Sequence, residues 1–540
     1  MTDIINLKDS SEKDSPEKDS SKKNSANSPA QIVPLTGSKL ALGTIALSLA
    51  TFMNVLDTSI ANVSLPTIAG DLGVSPNQVT WVITSFAVAN AISIPLTGWL
   101  TMRVGGVKLF TWSVLLFVLA SLMCGFAPSI ETLILFRVIQ GAVAGPMIPL
   151  SQSLLLSSYP TSKAGTALAM WSLTTLIAPI MGPLLGGYIT DNISWPWIFY
   201  INIPIGIGAA WATWVIYRKR ETPIRKLPVD FVGLALLVTW VGTMQVALDK
   251  GKELDWFASP LITGLSLIAL VGFVLFLIWE LTDKHPVVDL RLFKRRNFTI
   301  GVITLSLGYG IFFGNVVLLP LWLQEYMGFT ATWAGLVTAP VGILAIVFSP
   351  IVGKNIQRVD PRLLASVAFF VFAIVFWMRS NFTTQTDVQA LLIPTVIQGI
   401  AMAFFFIPLV SLTLSGLRPD QIPAASGLSN FVRITAGAFG TSIATTVWDN
   451  RATFHHSQLI EHISVYNDQA TDALNKMTQA GLTMEQAKTQ INMMINQQAF
   501  TFSADDIFYV SSIICIGLIG IVWLARPAKV AASAGSSAAQ

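Results

Sequence analysis

Long apolar runs constrain this chain more than any other feature. Blocks at residues 40–55, 109–126 and 271–279 carry almost nothing polar, and about 20 largely apolar residues carry a helix across a bilayer. One or two such blocks could serve as buried core helices, but this chain has more than a dozen. With 53% hydrophobic against 11% charged residues over 540 positions, and a mean hydropathy of +0.63, a soluble multidomain protein is excluded.

Cutting the runs at Gly, Pro and charged residues predicts an all-α membrane protein of fourteen spans. They lie near residues 40–62, 79–100, 107–126, 130–157, 164–190, 196–217, 230–248, 258–281, 298–324, 331–352, 362–378, 388–414, 421–448 and 507–525. Residues 1–38 are rich in Ser, Lys, Asp, Glu and Pro and predict a disordered tail. They hold no apolar h-region, so the first span is expected to act as the targeting signal. The expected organisation is a cytoplasmic tail at 1–38, a six-helix bundle at 39–220 and two inserted spans at 221–296. A second six-helix bundle at 297–526, including a polar outer loop at 449–503, and a cytoplasmic tail at 527–540 complete it.

Lys and Arg in short loops are retained in the cytoplasm. With both termini inside, only Lys250, Lys252, Arg379, Arg451, Lys476 and Lys488 fall in outer segments, and Arg137 and Arg433 fall within spans; the rest of the 33 are cytoplasmic. In the outer loop, Thr483 with Gln486 predicts a capping box opening a helix through Gln498, separated by Gly481 from an earlier helical stretch. The loop reads either as a surface hairpin or as a docking element.

Several chemistries find no support. There is no basic stripe for nucleic acid and no phosphate-binding Gly-rich loop for ATP. Cys124 and Cys515 each lie alone in an apolar run. His455, His456 and His462 beside Glu461 make a weak metal grouping with no Cys partner, His285 is in a loop, and no metal site is assigned. A membrane-embedded enzyme would need clustered catalytic groups at membrane depth, where no His occurs. A sensor that transports nothing would be expected to carry a sizeable cytoplasmic domain, and none is read here.

An internal echo points to a repeat. Val138-Ile139-Gln140-Gly141 precedes Ile148-Pro149-Leu150 in span four, and Val396-Ile397-Gln398-Gly399 precedes Ile407-Pro408-Leu409 in span twelve. If spans seven and eight are inserted, these spans are equivalent in two six-helix halves.

Ionisable residues inside a membrane are costly and by default functional. Asp57, Arg137 and Arg433 are such residues, and Glu325 at the outer end of span nine is a fourth. The helical period puts Asn54, Asp57 and Ala61 on one face. Burial favours a neutral carboxyl and a nearby Arg favours a charged one, so Asp57 in a cavity can load and release a proton under the influence of Arg137. The competing reading is a permanent structural pair. Asn54, Asn62, Gln140, Gln398 and Arg433 are candidate polar partners, and Glu325 reads either as a proton entry point or as a solvated helix end. In span five, Pro179, Gly182, Pro183, Gly186 and Gly187 predict a bent helix closely packed on a neighbour.

Five ordered motifs carry a family likeness: Leu56 to Pro66, Gly98 to Gly105, Arg137 to Gly141, Gly182-Pro183 with Gly186-Gly187, and Trp197 to Pro204. Over residues 40 to 525 the chain resembles the major facilitator superfamily, and within it the fourteen-span drug:proton antiporters of the EmrB type. The resemblance implies the major facilitator fold, with two six-helix bundles around a central cavity plus two extra helices. It implies a multidrug:H⁺ antiporter in the bacterial inner membrane that uses the proton gradient and no cofactor. It also implies partners, a periplasmic adaptor protein and an outer-membrane channel. Asp57, Arg137 and Glu325 are the expected proton-coupling residues, and Gly98, Arg103 and Gly105 the conformational loop motif. Where many members of the superfamily carry Asp in that loop, this chain carries Thr101, which removes a charge relay with Arg103. A cavity wall rich in Phe, Met and Trp is expected to give broad specificity. The alternative within transport is a proton symporter importing an organic solute.

Overall fold

The computed structural model describes residues 34–527 apart from 225–227, 229, 285 and 462–467. The predicted tails lie almost wholly outside the described residues, as do His285 and His462. Among the described residues, eleven helices are long and apolar enough to cross a membrane. Two further spans are broken: Trp81–Ser93 meets Thr97–Val104 at 62°, and Ala164–Pro179 meets Leu184–Asn192 at 44°. Pro95 lies in the first break, and Pro179 and Pro183 bracket the second, each removing a backbone donor from the helical ladder. The remaining predicted span is Ile422–Glu461, a helix of 40 residues. Asn430, Arg433 and many Ser and Thr make it polar, and packing between Arg296–Glu325 and Met484–Trp523 holds it in place. Several spans open on side-chain caps, among them Ser129, Asp230 and Asp387.

Packing reproduces the repeat read in the sequence. In the first half, span one packs on five and six, span four on two and three, and three on six. In the second half, nine packs on thirteen and fourteen, twelve on ten and eleven, and eleven on fourteen. The glycines of the echoed motif do the same job twice. A Cβ on Gly141 would stand 2.4 Å from the Phe86 carbonyl oxygen on span two, and one on Gly399 would stand 2.3 Å from that of Val341 on span ten.

The halves touch through spans five and ten, five and twelve, and through thirteen against two and four. Their tightest crossings lie at one end. A Cβ on Gly165 would fall 2.1 Å from the Gly353 oxygen, and one on Gly98 would fall 2.6 Å from Ala424 Cβ. This is the end bearing the Lys- and Arg-rich loops, and the space between the halves is lined toward the opposite end by Leu248, Asp249 and Lys252.

The inserted pair differs in its two members. Phe231–Gly251 lies on the seam between the halves, packed against Trp81–Ser93 and Ile422–Glu461, while Pro260–Thr282 packs chiefly on Phe231–Gly251. Lys250 Nζ donates to Thr80 Oγ1 at 2.6 Å on one side, and Lys252 pairs with Asp449 at 2.9 Å on the other.

Three sequence expectations need correction. The predicted helix ending at Gln498 runs on without a break as Met484–Trp523, because no proline interrupts it; its capping box at Thr483 and Gln486 is present. Ile422–Glu461 likewise continues past residue 448. At 1.5 Å per residue each helix is about 60 Å long, roughly twice the hydrocarbon thickness, so most of the loop at 449–503 is helical extension. Lys250 and Arg379, read as outer-segment charges, are buried, at 8% and 2% exposed.

Candidate functional site

A cavity of about 680 Å³ lies between the halves. Asn54, Phe86 and Arg137 line it from the first half, and Tyr309, Gln398 and Arg433 from the second. Phe312, Phe313, Met402 and Phe406 are among the residues that make most of its surface apolar. The expected tryptophans are missing from the lining; Trp171 stands behind Arg433 instead.

Span one brings Asp57 to the wall behind Arg137, and both side chains are 0% exposed. Arg137 Nη1 donates to Asp57 Oδ2 at 2.5 Å and to Gln140 Oε1 at 2.8 Å, and its Nε donates to the Val82 carbonyl at 3.0 Å. The other carboxylate oxygen accepts from Gln140 Nε2 at 3.1 Å and Asn202 Nδ2 at 3.0 Å. Asn202 is fixed in turn by Ser121 Oγ, which donates to the Phe199 carbonyl. Three donors converging on two oxygens are the complement of a charged carboxylate. The Arg137 guanidinium lies 4.2 Å from the Phe86 ring, and its Nη2 is buried without a hydrogen-bond partner. Asn54 also lines the cavity, with its amide donating to the Ala144 carbonyl at 3.0 Å.

The second half carries a related polar cluster built differently. Gln398 occupies the place of Gln140, but three residues before it stands Thr395 where the first half has Arg137. The guanidinium comes instead from the neighbouring helix: Arg379 Nη2 donates to Gln398 Oε1 at 2.7 Å and Thr395 Oγ1 at 3.3 Å. On span nine Asn315 donates to Ser511 Oγ on span fourteen at 3.0 Å, the same relation between helices as Asp57 and Asn202. Arg433 donates to Asn430 Oδ1 at 2.7 Å and lies over the rings of Tyr309, Phe406 and Trp171 at 4.7, 5.5 and 5.7 Å. Among the described residues no carboxylate forms an ion pair with Arg379 or Arg433.

Two predicted site residues stand apart. Asn62 is exposed on span one beyond the network, and Glu325 is an exposed side chain at the last position of Arg296–Glu325, outside the cavity lining. Neither joins the buried network: Asn62 lies on an exposed face of a helix whose Ile60, Ala61 and Ser64 are buried, and Glu325 lies at an exposed helix end, where both of its sequence readings stay open. The inserted helix, by contrast, contributes Gln245 and Asp249 to the wall, and the turn after it contributes Glu253.

The glycine motifs act through close approach. Gly182 brings span five onto span one, where an added Cβ would stand 2.3 Å from Ser59 Cβ, and a Cβ on Gly186 would stand 2.8 Å from the Ile60 oxygen. Pro179 lines the cavity, Gly187 is half-buried, and the side chain of Pro183 lies outside the described residues. In the loop motif, Gly105 has φ +96°, and a Cβ there would meet the Glu221 carboxyl at 2.5 Å. Glu221 caps the third span by accepting from the backbone of Val107 and Lys108. Thr101 donates to Thr97 O in its own helix at 2.6 Å, and Arg103 lies 5.2 Å over the Trp99 ring.

Comparison with known proteins agrees with this architecture. The family model of the Major Facilitator Superfamily matches residues 47–441. The chain is 53% identical over 506 residues to the Multidrug export protein EmrB of Escherichia coli (strain K12), covering 94% of this chain and 99% of that protein. It is 49% identical over 494 residues to the Fatty acid resistance protein FarB of Neisseria gonorrhoeae, covering 92% and 97%. Among solved structures, the crystal structure of the human organic anion transporter MFSD10 aligns with a TM-score of 0.57 at 12% identity, covering 89% of this chain and all of that one, a likeness of fold. The chain is a multi-pass membrane protein that belongs to the Major Facilitator Superfamily, in the same family as the EmrB multidrug export proteins.

Proposed function

We propose that this protein exports hydrophobic and amphipathic small molecules from the cell in exchange for protons. The observation that carries the reading is the fully buried Asp57–Arg137 pair in the wall of a large, mostly apolar cavity between two repeated halves. Its near full-length similarity to multidrug export proteins supports the direction. In the present conformer the halves meet at the Lys- and Arg-rich end, which the charge bias assigns to the cytoplasm, so this is the outward-facing state. Asp57 is held by Arg137 here. Proton arrival at Asp57 frees the Arg137 guanidinium, whose Nη2 is already buried without a partner, and the substrate and the proton occupy the cavity wall in alternation.

The roles follow from position. Asp57 carries the proton, Arg137 senses its charge, and Gln140 and Asn202 hold the carboxylate in place. Gly182 and Gly186 let span five roll on span one. The six-helix halves at 39–220 and 297–526 rock about the inserted span, which seals their seam. The same reading includes the inner membrane, both termini in the cytoplasm, and the adaptor and outer-membrane channel as partners. The paired extensions of Ile422–Glu461 and Met484–Trp523 offer the surface for the adaptor.

Inverted membrane vesicles holding the protein should accumulate a lipophilic dye when the lumen is acidified. Dissipating the pH gradient should release it. Uptake that survives loss of the gradient, or dye movement in the opposite direction as in a symporting importer, would contradict the proposal.

A further inference from the structure

Among the described residues, Arg379 is a cation without an anion. It is 2% exposed, lines the cavity, and makes two side-chain hydrogen bonds, both donated by Nη2 to the neutral partners Gln398 and Thr395. Its Nε has no partner, and neither does the amide nitrogen of Gln398, itself 3% exposed. A buried guanidinium is normally paired, because taking an uncompensated charge out of water is expensive. The carbonyls at the end of its own helix offset part of that charge. They leave Arg379 Nε and Gln398 Nε2 as buried donors without a partner on two side chains that touch each other, and a guanidinium and an amide are the donor types that bind an oxyanion.

What adjoins these donors is apolar and in line. Thr395, Gln398, Met402 and Phe406 lie on one face of Val388–Leu414 and all line the cavity. From Gln398 to Phe406 the helix rises about 12 Å at 1.5 Å per residue. A ligand with an anionic head on Arg379 would therefore lay a medium-length apolar chain along Met402 and Phe406.

We propose that Arg379 and Gln398 form a carboxylate-binding subsite, which selects amphiphiles with an anionic head among the molecules this cavity accepts. This deepens the export reading above and rests on it. The subsite is separate from the Asp57 network: the two guanidiniums belong to different halves, and Arg137 already has its counter-ion while Arg379 has none.

The test is equilibrium dialysis of the full chain in lipid nanodiscs against radiolabelled decanoate, decanol and decyltrimethylammonium, with empty nanodiscs subtracted. Wild-type protein is expected to bind decanoate at least tenfold more tightly than decanol, a comparison that needs no mutation. Arg379→Gln should erase that difference and raise affinity for the cation, Arg379→Lys should keep part of it, and Gln398→Leu should reduce it several-fold. Elution as the wild type in size-exclusion chromatography confirms that each variant is folded. Equal binding of decanoate and decanol by the wild type, or an unchanged preference in folded Arg379→Gln, overturns the subsite and leaves export standing. Failure to bind any of the three overturns both.

Discussion

Replacing Gly165 with valine should prise the two halves apart at their closed end. A Cβ there would stand 2.1 Å from the Gly353 carbonyl oxygen and 2.2 Å from Ile356 Cγ2, where ordinary contact begins at 3.4 Å. The first obstacle is backbone, so spans five and ten must separate by roughly 1 Å or more to admit the side chain. Overpacking of this kind costs about 1–3 kcal/mol. Because the contact exists only when this end is closed, that cost shifts the closed-to-open equilibrium by roughly 5- to 150-fold. Distances between spin labels on Lys163→Cys and Lys354→Cys would report it: both sites are exposed and flank the contact, and the native Cys124 and Cys515 are buried. The wild type should give one short distance and the Gly165→Val protein an added longer population. Gly440→Val is the control. Its Cβ would meet the Gly310 oxygen at the same 2.1 Å, but both glycines lie within the second half, so stability should fall with no change between the labels. An unaltered distribution in folded Gly165→Val protein, or an equal shift in the control, would refute the reasoning.

Further outcomes follow from the same geometry. Gln140→Leu removes one donor to Asp57 and one acceptor of Arg137, while Asn202 and the ion pair remain; a hydrogen bond to a charged group contributes about 1.5–3 kcal/mol, and proton-coupled dye transport should drop at least tenfold in vesicles. Glu325→Gln changes an exposed side chain and should leave that transport within about twofold, since surface charges contribute roughly 0–1 kcal/mol. Asp249→Asn removes a cavity-facing charge contributed by the inserted span and should raise the KM for a lipophilic cation about two- to fivefold, with little effect on a neutral substrate.

Much of this architecture is legible in the residues because the bilayer enforces it: apolar runs, loop charges and the doubled Val-Ile-Gln-Gly motif report spans, orientation and repeat. Asp57, Arg137 and Gln140 stand out because polar groups at membrane depth are rare. Asn202 lies within the motif from Trp197 to Pro204, but an amide near a span's start gives no sign that it reaches a carboxylate on another helix. Arg379 ends an apolar run and is followed by Ser380 and Asn381, which reads as the start of an outer loop. Only packing shows it turned inward, filling from a neighbouring helix the place that Thr395 leaves without charge. The echo of Gln140 in Gln398 was the available signal for it. Likewise the polar span Ile422–Glu461 owes its place to contacts on several sides rather than to lipid, and the cavity-facing edge of the inserted span is set by docking on two partners that sequence periodicity does not name. Glu325 and Asn62 show the converse, polar residues on or near a span whose side chains packing leaves exposed.

Coupling at Asp57 is tested most directly by comparing two activities of one Asp57→Asn preparation in proteoliposomes. Asparagine keeps the shape of the side chain but carries neither charge nor exchangeable acid, so substrate-for-substrate exchange should persist while substrate-driven proton movement disappears. Proton movement by Asp57→Asn at the wild-type rate would contradict the account.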